Sequence, residues 1–395
     1  MTPGARTQAA IELLDAIIAA ARDQGPAADT LIARYFAERR YAGSKDRRAV
    51  RDLVYAAIRR AGEPPASGRA AIIGLANGDL ELGATFDGGP YAPAPIGPAE
   101  EEAPAGVAPN WLVDRLRDSG LEGGEVDALI GRAPLDIRVN TLRARPAEVA
   151  GVLPDAEALP HAPAGLRLPA GTNVEQLAAW RDGAIEVQDE GSQIVSLATK
   201  LCPGMAVVDL CAGAGGKSLA LAAALNNRGE VLACDIDRAR LSRLVPRATR
   251  AGATIIQTRL LDPGHEAAAL ADWRDRADVV LVDAPCSGSG TWRRNPEARW
   301  RLTPERLERL VTTQRMLLDV AAELVQPGGA LVHVVCSLLD AEGAGQADAF
   351  LSRHPGWIAE PLALPAGRAR GVGYRLTPAH DGTDGFFVAR LIRPC

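Results

Sequence analysis

The 395 residues exceed one ordinary domain, and the 47% hydrophobic content supplies a sizeable core and excludes a disordered chain. The net charge of −5 excludes a globally basic nucleic-acid binder, so any nucleic-acid surface has to be local. Only Lys45, Lys200 and Lys217 are lysines, so almost all positive charge is arginine. Cys202, Cys211, Cys234, Cys286, Cys336 and Cys395 form no CxxC pair and have no neighbouring histidines. That argues against a zinc site and a disulfide framework, and for free thiols in a reducing compartment. The first stretch of chain lacks a basic, apolar, small-residue succession, and no apolar run reaches about 18 residues. A soluble cytoplasmic protein without metal is expected, and nothing demands more than a monomer.

From Gln8 to about Gly62 the apolar spacing is helical, with Ile11, Leu14, Ile17, Ile18 and Ala21 on one face and Leu53, Val54, Ala57 and Ile58 on another. Between them "ERRYAGSKDRRAVRDLVYAAIRR" gathers Arg39, Arg40, Lys45, Arg47, Arg48 and Arg51. Such a run is either a solvated helix face or an electrostatic footprint for a phosphate backbone. "PYAPAPIGPAEEEAPAGVAP", from Pro90 to Pro109, has no periodicity and reads as a semi-extended linker. The region from Trp111 to Lys200 mixes helical stretches with short strands at "DIRVNTL" (Asp136 to Leu142) and "AIEVQDEGSQ" (Ala184 to Gln193). The expected domains are therefore 1–89 helical, 90–110 linker, 111–200 a small α+β module, and 201–395 a larger α/β domain.

After Lys200 strands and helices alternate. "AVVDLC", "EVLACDID", "ATIIQT", "ADVVLVDAP" and "GALVHVVCS" read as strands, with "GKSLALAAALN" and "RARLSRLVPRATRAG" as helices between them. This pattern predicts a doubly wound, mostly parallel sheet with its site at the carboxyl ends of the strands. A late pair near Val372 and at "GFFVARLIR" is placed to add an antiparallel edge.

"VVDLCAGAGGKS" sets a glycine-rich turn between the first strand and helix of that sheet, where the backbone can approach a ligand closely. It is not a P-loop, because that spacing needs glycine where Cys211 stands. Asp235 ends the second strand, 22 residues after Gly213, where a carboxylate can accept both ribose hydroxyls of an adenosine cofactor. Asp262 follows the third strand, within reach of an adenine amino group, and Asp283 ends the fourth. Carboxylates in a row suit a cofactor with cationic character and no phosphate. S-adenosylmethionine, with its sulfonium and ammonium groups, fits; a dinucleotide pyrophosphate would be repelled. Taken singly, each aspartate could equally be a cap or turn residue.

"LVDAPCSGSGTWRRNP" and "ALVHVVCS" end the fourth and fifth strands in Cys286 and Cys336. One buried cysteine is ordinarily inert packing. Two at neighbouring strand ends suit attack on an unactivated carbon: a thiolate adding to carbon 6 of a pyrimidine makes carbon 5 nucleophilic, and a second thiol can assist release. "TWRRNPEARWRLTPERLERL" (Thr291 to Leu310) interleaves Arg293, Arg294, Arg299 and Arg301 with Trp292 and Trp300. This composition suits phosphates and unstacked bases, or else a charged helix entry with tryptophan as packing. His333 and Met316 read as core residues or as residues that support the site without touching the reacting groups.

At these residues the chain resembles the RsmB/Sun family of RNA 5-methylcytosine methyltransferases. "DLCAGAGGKS" resembles the family's cofactor loop, "DAPCSGSGTWRRNP" its Pro-Cys motif and "VVCS" its Thr-Cys-Ser motif. "RVNTL", "VQDEGSQ" and "DGFFVARL" match its flanking signatures, so the resemblance runs from about Trp111 to Arg393. "RRYAGSKDRRAVRDLVYAAIRR" resembles the NusB-like RNA-binding domain at the front of some members.

The resemblance implies a Rossmann-like class I methyltransferase domain that methylates carbon 5 of cytosine in RNA, most plausibly ribosomal RNA. It implies Cys336 as nucleophile, Cys286 as the residue that promotes release, and Asp283 at the target base or the cofactor's edge. Cys211, Ala212, Gly213, Ala214, Gly215, Gly216 and Lys217, with Asp235 and Asp262, would bind S-adenosylmethionine, Lys217 meeting the methionine carboxylate. Two departures stand out: Ala-Gly-Ala replaces the commoner Ala-Ala-Pro in the loop, and Val335 replaces the usual threonine before Cys336. Neither removes a reacting group. Competing readings are a transfer-RNA substrate, a DNA cytosine methyltransferase with the Pro-Cys cysteine as nucleophile, and an RNA-binding assembly factor with secondary activity. A nicotinamide dehydrogenase is disfavoured by the missing GxGxxG spacing.

Overall fold

The computed structural model describes residues 1–23, 25–153 and 155–395. The chain divides into two compact units, one of Met1–Arg132 with Thr291–Pro304, the other of Ala133–Gly290 with Glu305–Cys395.

The first unit is built on four helices: α1 (Pro3–Arg22), α2 (Ala28–Glu38), α3 (Ser44–Arg60) and α4 (Gly68–Ala76). Thr2 caps α1 by accepting the Ala5 amide, and Pro3 occupies the first turn, where its missing N–H costs nothing. The predicted face of α1, with Ile11, Leu14, Ile17 and Ile18, is buried against Val54 and Ile58 of α3 and Ile72 of α4. Gly68 lets α4 start directly on α1: a Cβ there would lie 2.2 Å from the Ile11 carbonyl oxygen. On the outer side of α3, Lys45, Arg47, Arg48 and Arg51 are exposed.

Two expectations change here. The Pro90–Pro109 stretch does not hang free. The Ala103 amide bonds to the Ala70 carbonyl, Gly106 to the Arg60 carbonyl, and Arg69 binds the carbonyls of Ala94 and Pro95. Its irregular backbone finds partners on the helices, which composition alone does not report. Residues 110–132, including the helix Asn110–Asp118, also group with this unit rather than with the α+β module.

The third change concerns the arginine–tryptophan segment. Thr291–Pro304 belongs to the helical unit, and Trp292, Arg299 and Trp300 are buried there. Arg299 is fully buried; its Nη2 donates to the carbonyls of Ile58 (2.6 Å), Ala61 (2.9 Å) and Arg59 (3.3 Å), the orphan acceptors at the end of α3. Trp300 Nε1 donates to the same Ala61 carbonyl, and Arg301 to the carbonyls of Gly25 and Pro26. These guanidinium groups cap backbone, so the packing alternative holds at Arg299, Arg301 and Trp300.

The second unit carries a four-stranded antiparallel sheet and a nine-stranded sheet. The small sheet contains β1 (Leu135–Val139), β2 (Glu157–Ala158), β3 (Gly165–Leu168) and β4 (Ile185–Val187), in the order β2-β3-β1-β4. Ala184–Gln193 is strand only over β4. Asp189 then accepts the Ser192 amide and caps a helix over Glu190–Leu197. The large sheet holds β5 (Ala206–Asp209), β6 (Glu230–Asp235), β7 (Ile256–Leu260), β8 (Ala277–Asp283), β9 (Val325–Val335), β10 (Ile358–Ala359), β11 (Arg368–Arg370), β12 (Gly373–Leu376) and β13 (Phe386–Ile392). Its order is β11-β12-β13-β9-β8-β5-β6-β7, with β10 on β13. Strands β5 to β9 are mutually parallel, and β13 runs antiparallel to β9, as the late pair predicted. The helix expected over "RARLSRLVPRATRAG" is broken into Arg238–Leu241 and Leu244–Ala251, with Pro246 in the first turn of the second piece.

The two-residue period of the central strands sorts their side chains onto opposite faces. Val208, Val280, Val282, Leu331 and Val335 enter one core; Val207, Val279, Leu281, Val332 and Val334 enter the other. Both faces are covered, which explains why these strands are apolar throughout. Burying each such side chain contributes about 1.5–3 kcal/mol.

Replacing Arg299 by alanine strands several buried carbonyls and is expected to cost roughly 3 kcal/mol of stability. Urea denaturation of the full chain reads this loss; unchanged stability with weakened RNA binding would restore the nucleic-acid reading of Arg299.

Candidate active site

The candidate residues gather at the carboxyl ends of the parallel strands, on β5 and its neighbours β6 and β8. Strand β5 runs into the loop Leu210–Gly215 and then the helix Gly216–Ala224. Gly213 (φ 56°) and Gly215 (φ 84°) take left-handed conformations, and a Cβ on Gly215 would meet Leu244 at 2.4 Å. Gly216 opens the helix. The loop is held from three sides. Asp235 Oδ2 accepts the Gly213 amide at 2.7 Å, the Ala212 amide bonds to the Cys234 carbonyl, and Arg247 Nη1 donates to the Ala214 carbonyl at 2.6 Å. Arg247 is itself anchored on Glu186 of β4, so the small sheet reaches the loop through one side chain.

Asp209, Asp235 and Asp283 close the ends of β5, β6 and β8, while Asp262, after β7, is exposed. Asp235 also accepts the Asp237 amide at 2.7 Å, so backbone donors fix its carboxylate at the strand end. Asp283 pairs with Lys217: Nζ lies 2.7 Å from Oδ2 and 5.5 Å from the centre of the Phe386 ring. The Asp283 carboxylate raises the pKa of Lys217 against the opposing effect of burial. Lys217 thus stands as a charged donor held by Asp283 at the end of β8. Cys211, within the loop, is half-buried, and its thiol is pushed well up by desolvation and by Asp209, Asp283 and Asp235.

Strands β8 and β9 pair with Asp283 opposite Val334. Each continues a few residues further, which brings Cys286 Sγ to 3.4 Å from Cys336 Sγ. The hydrogen bond to Cys336, together with burial, holds the Cys286 thiol well above its ordinary pKa. The "GSG" after Cys286 has a steric reason: the Gly290 amide bonds to the Cys336 carbonyl, and a Cβ on Gly290 would lie 2.0 Å from the Gly385 carbonyl oxygen. This contact also ties "DGFF" to the site, since the Gly385 amide bonds to the Gly290 carbonyl.

Sequence reasoning passed over two residues. Asp209 is fully buried; its Oδ2 accepts from Ser218 Oγ at 2.7 Å, and its Oδ1 has no protein partner. Burial pushes its pKa up to about 7. A carboxylate closing an apolar central strand was the available signal. Glu342, in a Gly- and Ala-rich loop, gave none.

A match to the family described as 16S rRNA methyltransferase RsmB/F covers residues 197–392. The chain is 36% identical to the ribosomal RNA small subunit methyltransferase B of Xylella fastidiosa (strain Temecula1), over 72% of this chain and 67% of that protein. It is 35% identical to Rv1407 of Mycobacterium tuberculosis (strain H37Rv), over 96% and 85%. The chain belongs to the RsmB/F methyltransferase family. It spans about two thirds of the length of the curated small subunit methyltransferase B relatives it matches. Among solved structures, PH0851 superposes with a TM-score of 0.75 at 25% identity, covering 99% of each chain. NSun6 from Pyrococcus horikoshii with SFG gives a TM-score of 0.63 at 20% identity over 71% of this chain and 97% of that one, a likeness of fold.

The RsmB/F family is S-adenosylmethionine-dependent, and the site residues here fit that cofactor. The unpartnered buried Oδ1 of Asp209 offers an acceptor for a cationic group, and the positive-φ glycines leave the loop backbone bare for close approach. Among the described residues no group of acids, histidines and cysteines could hold a metal ion, and no helix is long and apolar enough to cross a membrane.

Two outcomes follow from these carboxylates. Asp235→Asn keeps the shape but can accept only one of the two backbone amides, so S-adenosylmethionine affinity measured by calorimetry should fall on the order of tenfold or more. Because burial holds Asp209 protonated up to about pH 7, a cationic ligand must displace that proton at lower pH. Affinity should therefore rise several-fold from about pH 6 to 7.5, and Asp209→Asn should flatten this rise.

Proposed function

We propose that this chain transfers a methyl group from S-adenosylmethionine to carbon 5 of a cytosine in ribosomal RNA, through a covalent adduct with Cys336. The observation that carries the reading is the sulfur pair: two cysteines at neighbouring parallel strand ends, 3.4 Å apart, with the part-buried Lys217–Asp283 ion pair at the same end of β8.

Either sulfur can donate in the pair; with Cys286 as the donor, Cys336 is the sulfur that adds to the base, as the family resemblance implies. Addition forms a bond from Sγ to carbon 6 and moves the electron pair of the 5,6 double bond toward carbon 5. Lys217 and Asp283, held together at this end of β8, supply a donor and an acceptor for the polar edge of the base, stabilising the charge that builds up on addition. The cofactor supplies an electrophilic methyl group, whose sulfonium becomes a neutral thioether when carbon 5 takes the methyl. The carbon 5 hydrogen then leaves as a proton to water, its electron pair re-forms the double bond, and the bond from carbon 6 to Sγ breaks. Cys286 donates its S–H hydrogen bond to the departing thiolate of Cys336 and so assists release.

The rRNA methyltransferase names of the relatives favour an RNA substrate. The exposed Lys45, Arg47, Arg48 and Arg51 of α3 give a local basic face on an acidic chain and are proposed as a phosphate-binding surface of the helical unit, which we read as NusB-like. Val335 before Cys336 is buried in the core, so packing accounts for an apolar residue there.

Incubated with S-adenosylmethionine and total RNA, Cys286→Ala should accumulate an RNA–protein band on a denaturing gel, and Cys336→Ala should give none. The reversed pattern would make Cys286 the nucleophile.

A further inference from the structure

Behind the two cysteines lies a fully buried carboxylate that the reaction scheme does not use. Glu342 follows Cys336 by six residues and is 0% exposed. Its Oε1 accepts from the Ser287 backbone amide at 2.8 Å and from Gln314 Nε2 at 3.0 Å. Its Oε2 accepts from Ser337 Oγ at 2.5 Å and from Ser287 Oγ. Ser287 is the residue after Cys286, and Ser337 the residue after Cys336. One carboxylate therefore grips both cysteine-bearing loops.

The grip is reinforced around it. Gln314, fully buried on the helix Pro304–Leu324, bonds through the same Nε2 to the Pro285 carbonyl at 2.9 Å. The Glu342 carbonyl oxygen faces His333 Nε2 at 2.9 Å. Burial pushes His333 down to about 4, so its ring is neutral at ordinary pH and donates from Nε2. Glu342 is thus fixed by β9 while it holds the loop that leaves β8.

We propose that Glu342 is a positioning residue that holds the Cys286 loop against the Cys336 loop and so sets the sulfur pair for release of the methylated base. The inference rests on the two-cysteine reading of the reaction. The hydrogen bonds make the role asymmetric. Without Glu342 the two loops keep ties beyond Ser287: the Gly290 amide on the Cys336 carbonyl at 3.0 Å, and Ser289 Oγ with Ser337 Oγ at 3.1 Å and with the Leu338 amide at 2.9 Å. Ser287, beside Cys286, makes two of the four bonds to the carboxylate and would keep its Oγ contact with Ser337 Oγ at 3.1 Å. Ser337 would keep Ser287 Oγ, Ser289 Oγ and the Leu339 amide, so the residue next to Cys286 is the one loosened most. Loss of Glu342 therefore impairs release more than addition and imitates loss of Cys286.

The test compares full-length wild type, Cys286→Ala, Glu342→Ala, Glu342→Gln and Ser287→Ala, each incubated with S-adenosylmethionine and total RNA and run on a denaturing gel. Glu342→Ala is expected to retain about tenfold more RNA–protein adduct than wild type while its affinity for S-adenosylmethionine stays within about twofold. Glu342→Gln, which preserves length and lets the serine hydroxyls turn to accept, should return adduct to within about threefold of wild type. A merely structural role would reduce folded protein, methylation and adduct in proportion, and that result overturns the proposal. Where Glu342→Ala does not fold, Ser287→Ala decides, since it keeps the carboxylate and removes one of its ties to the Cys286 loop. A several-fold rise in adduct supports the role, and a wild-type level overturns it. Cys286→Ala on the same gel separates the two ideas: if it traps no RNA, the two-cysteine reading fails and this inference with it. If it traps RNA and Glu342→Ala does not, the positioning role alone fails.

Discussion

The parallel pairing of β8 with β9 is the constraint on which the site depends. Asp283 lies opposite Val334 in that ladder, and a shift of one residue would turn every side chain of one strand to the other face. The register is fixed because both faces are buried: Val280 and Val282 on one side, Val279 and Leu281 on the other. From it follow the adjacency of Cys286 and Cys336 and the placement of Asp283 toward Lys217. The serine and glycine contacts beyond the strands, with Glu342 among them, then secure the last few residues, which the ladder no longer reaches.

The cofactor loop shows a second use of the same principle, in which buried polar groups take on structural duties that leave a ligand site behind. Asp235 receives two backbone amides and so fixes the glycine turn, and Arg247 holds the Ala214 carbonyl from the other side. Asp209 is the exception. It has one hydroxyl donor and an oxygen without a protein partner, in a place where burial already pushes its proton affinity up. A fully buried acid left half-satisfied is costly for folding and suits a cationic group arriving from solvent.

The segment 291–304 shows how composition can point two ways. Arginine interleaved with tryptophan is the chemistry of a nucleic-acid surface, and it is equally the chemistry of a cap for helix ends. Arg299 carries several donors in a rigid fork, and the last carbonyls of α3 need several donors. The acceptors are more than two hundred residues away in the chain, so no local pattern could reveal them. The arginines and lysine along the outer side of α3 remain exposed.

The sequence by itself determined the alternation of strands and helices after Lys200, the late antiparallel pair, the glycine loop and the strand ends that carry Asp235, Asp283, Cys286 and Cys336. These are legible because apolar period, glycine turns and strand-end polar residues are local signals. Tertiary structure alone decided the packing of Pro90–Pro109 onto helices, the burial of Arg299 and Trp300, the pairing of Lys217 with Asp283 and the place of Glu342. Each depends on which distant donors and acceptors a buried group meets. Hydrogen-bond satisfaction is a property of the assembled fold, and spacing along the chain carries no trace of it.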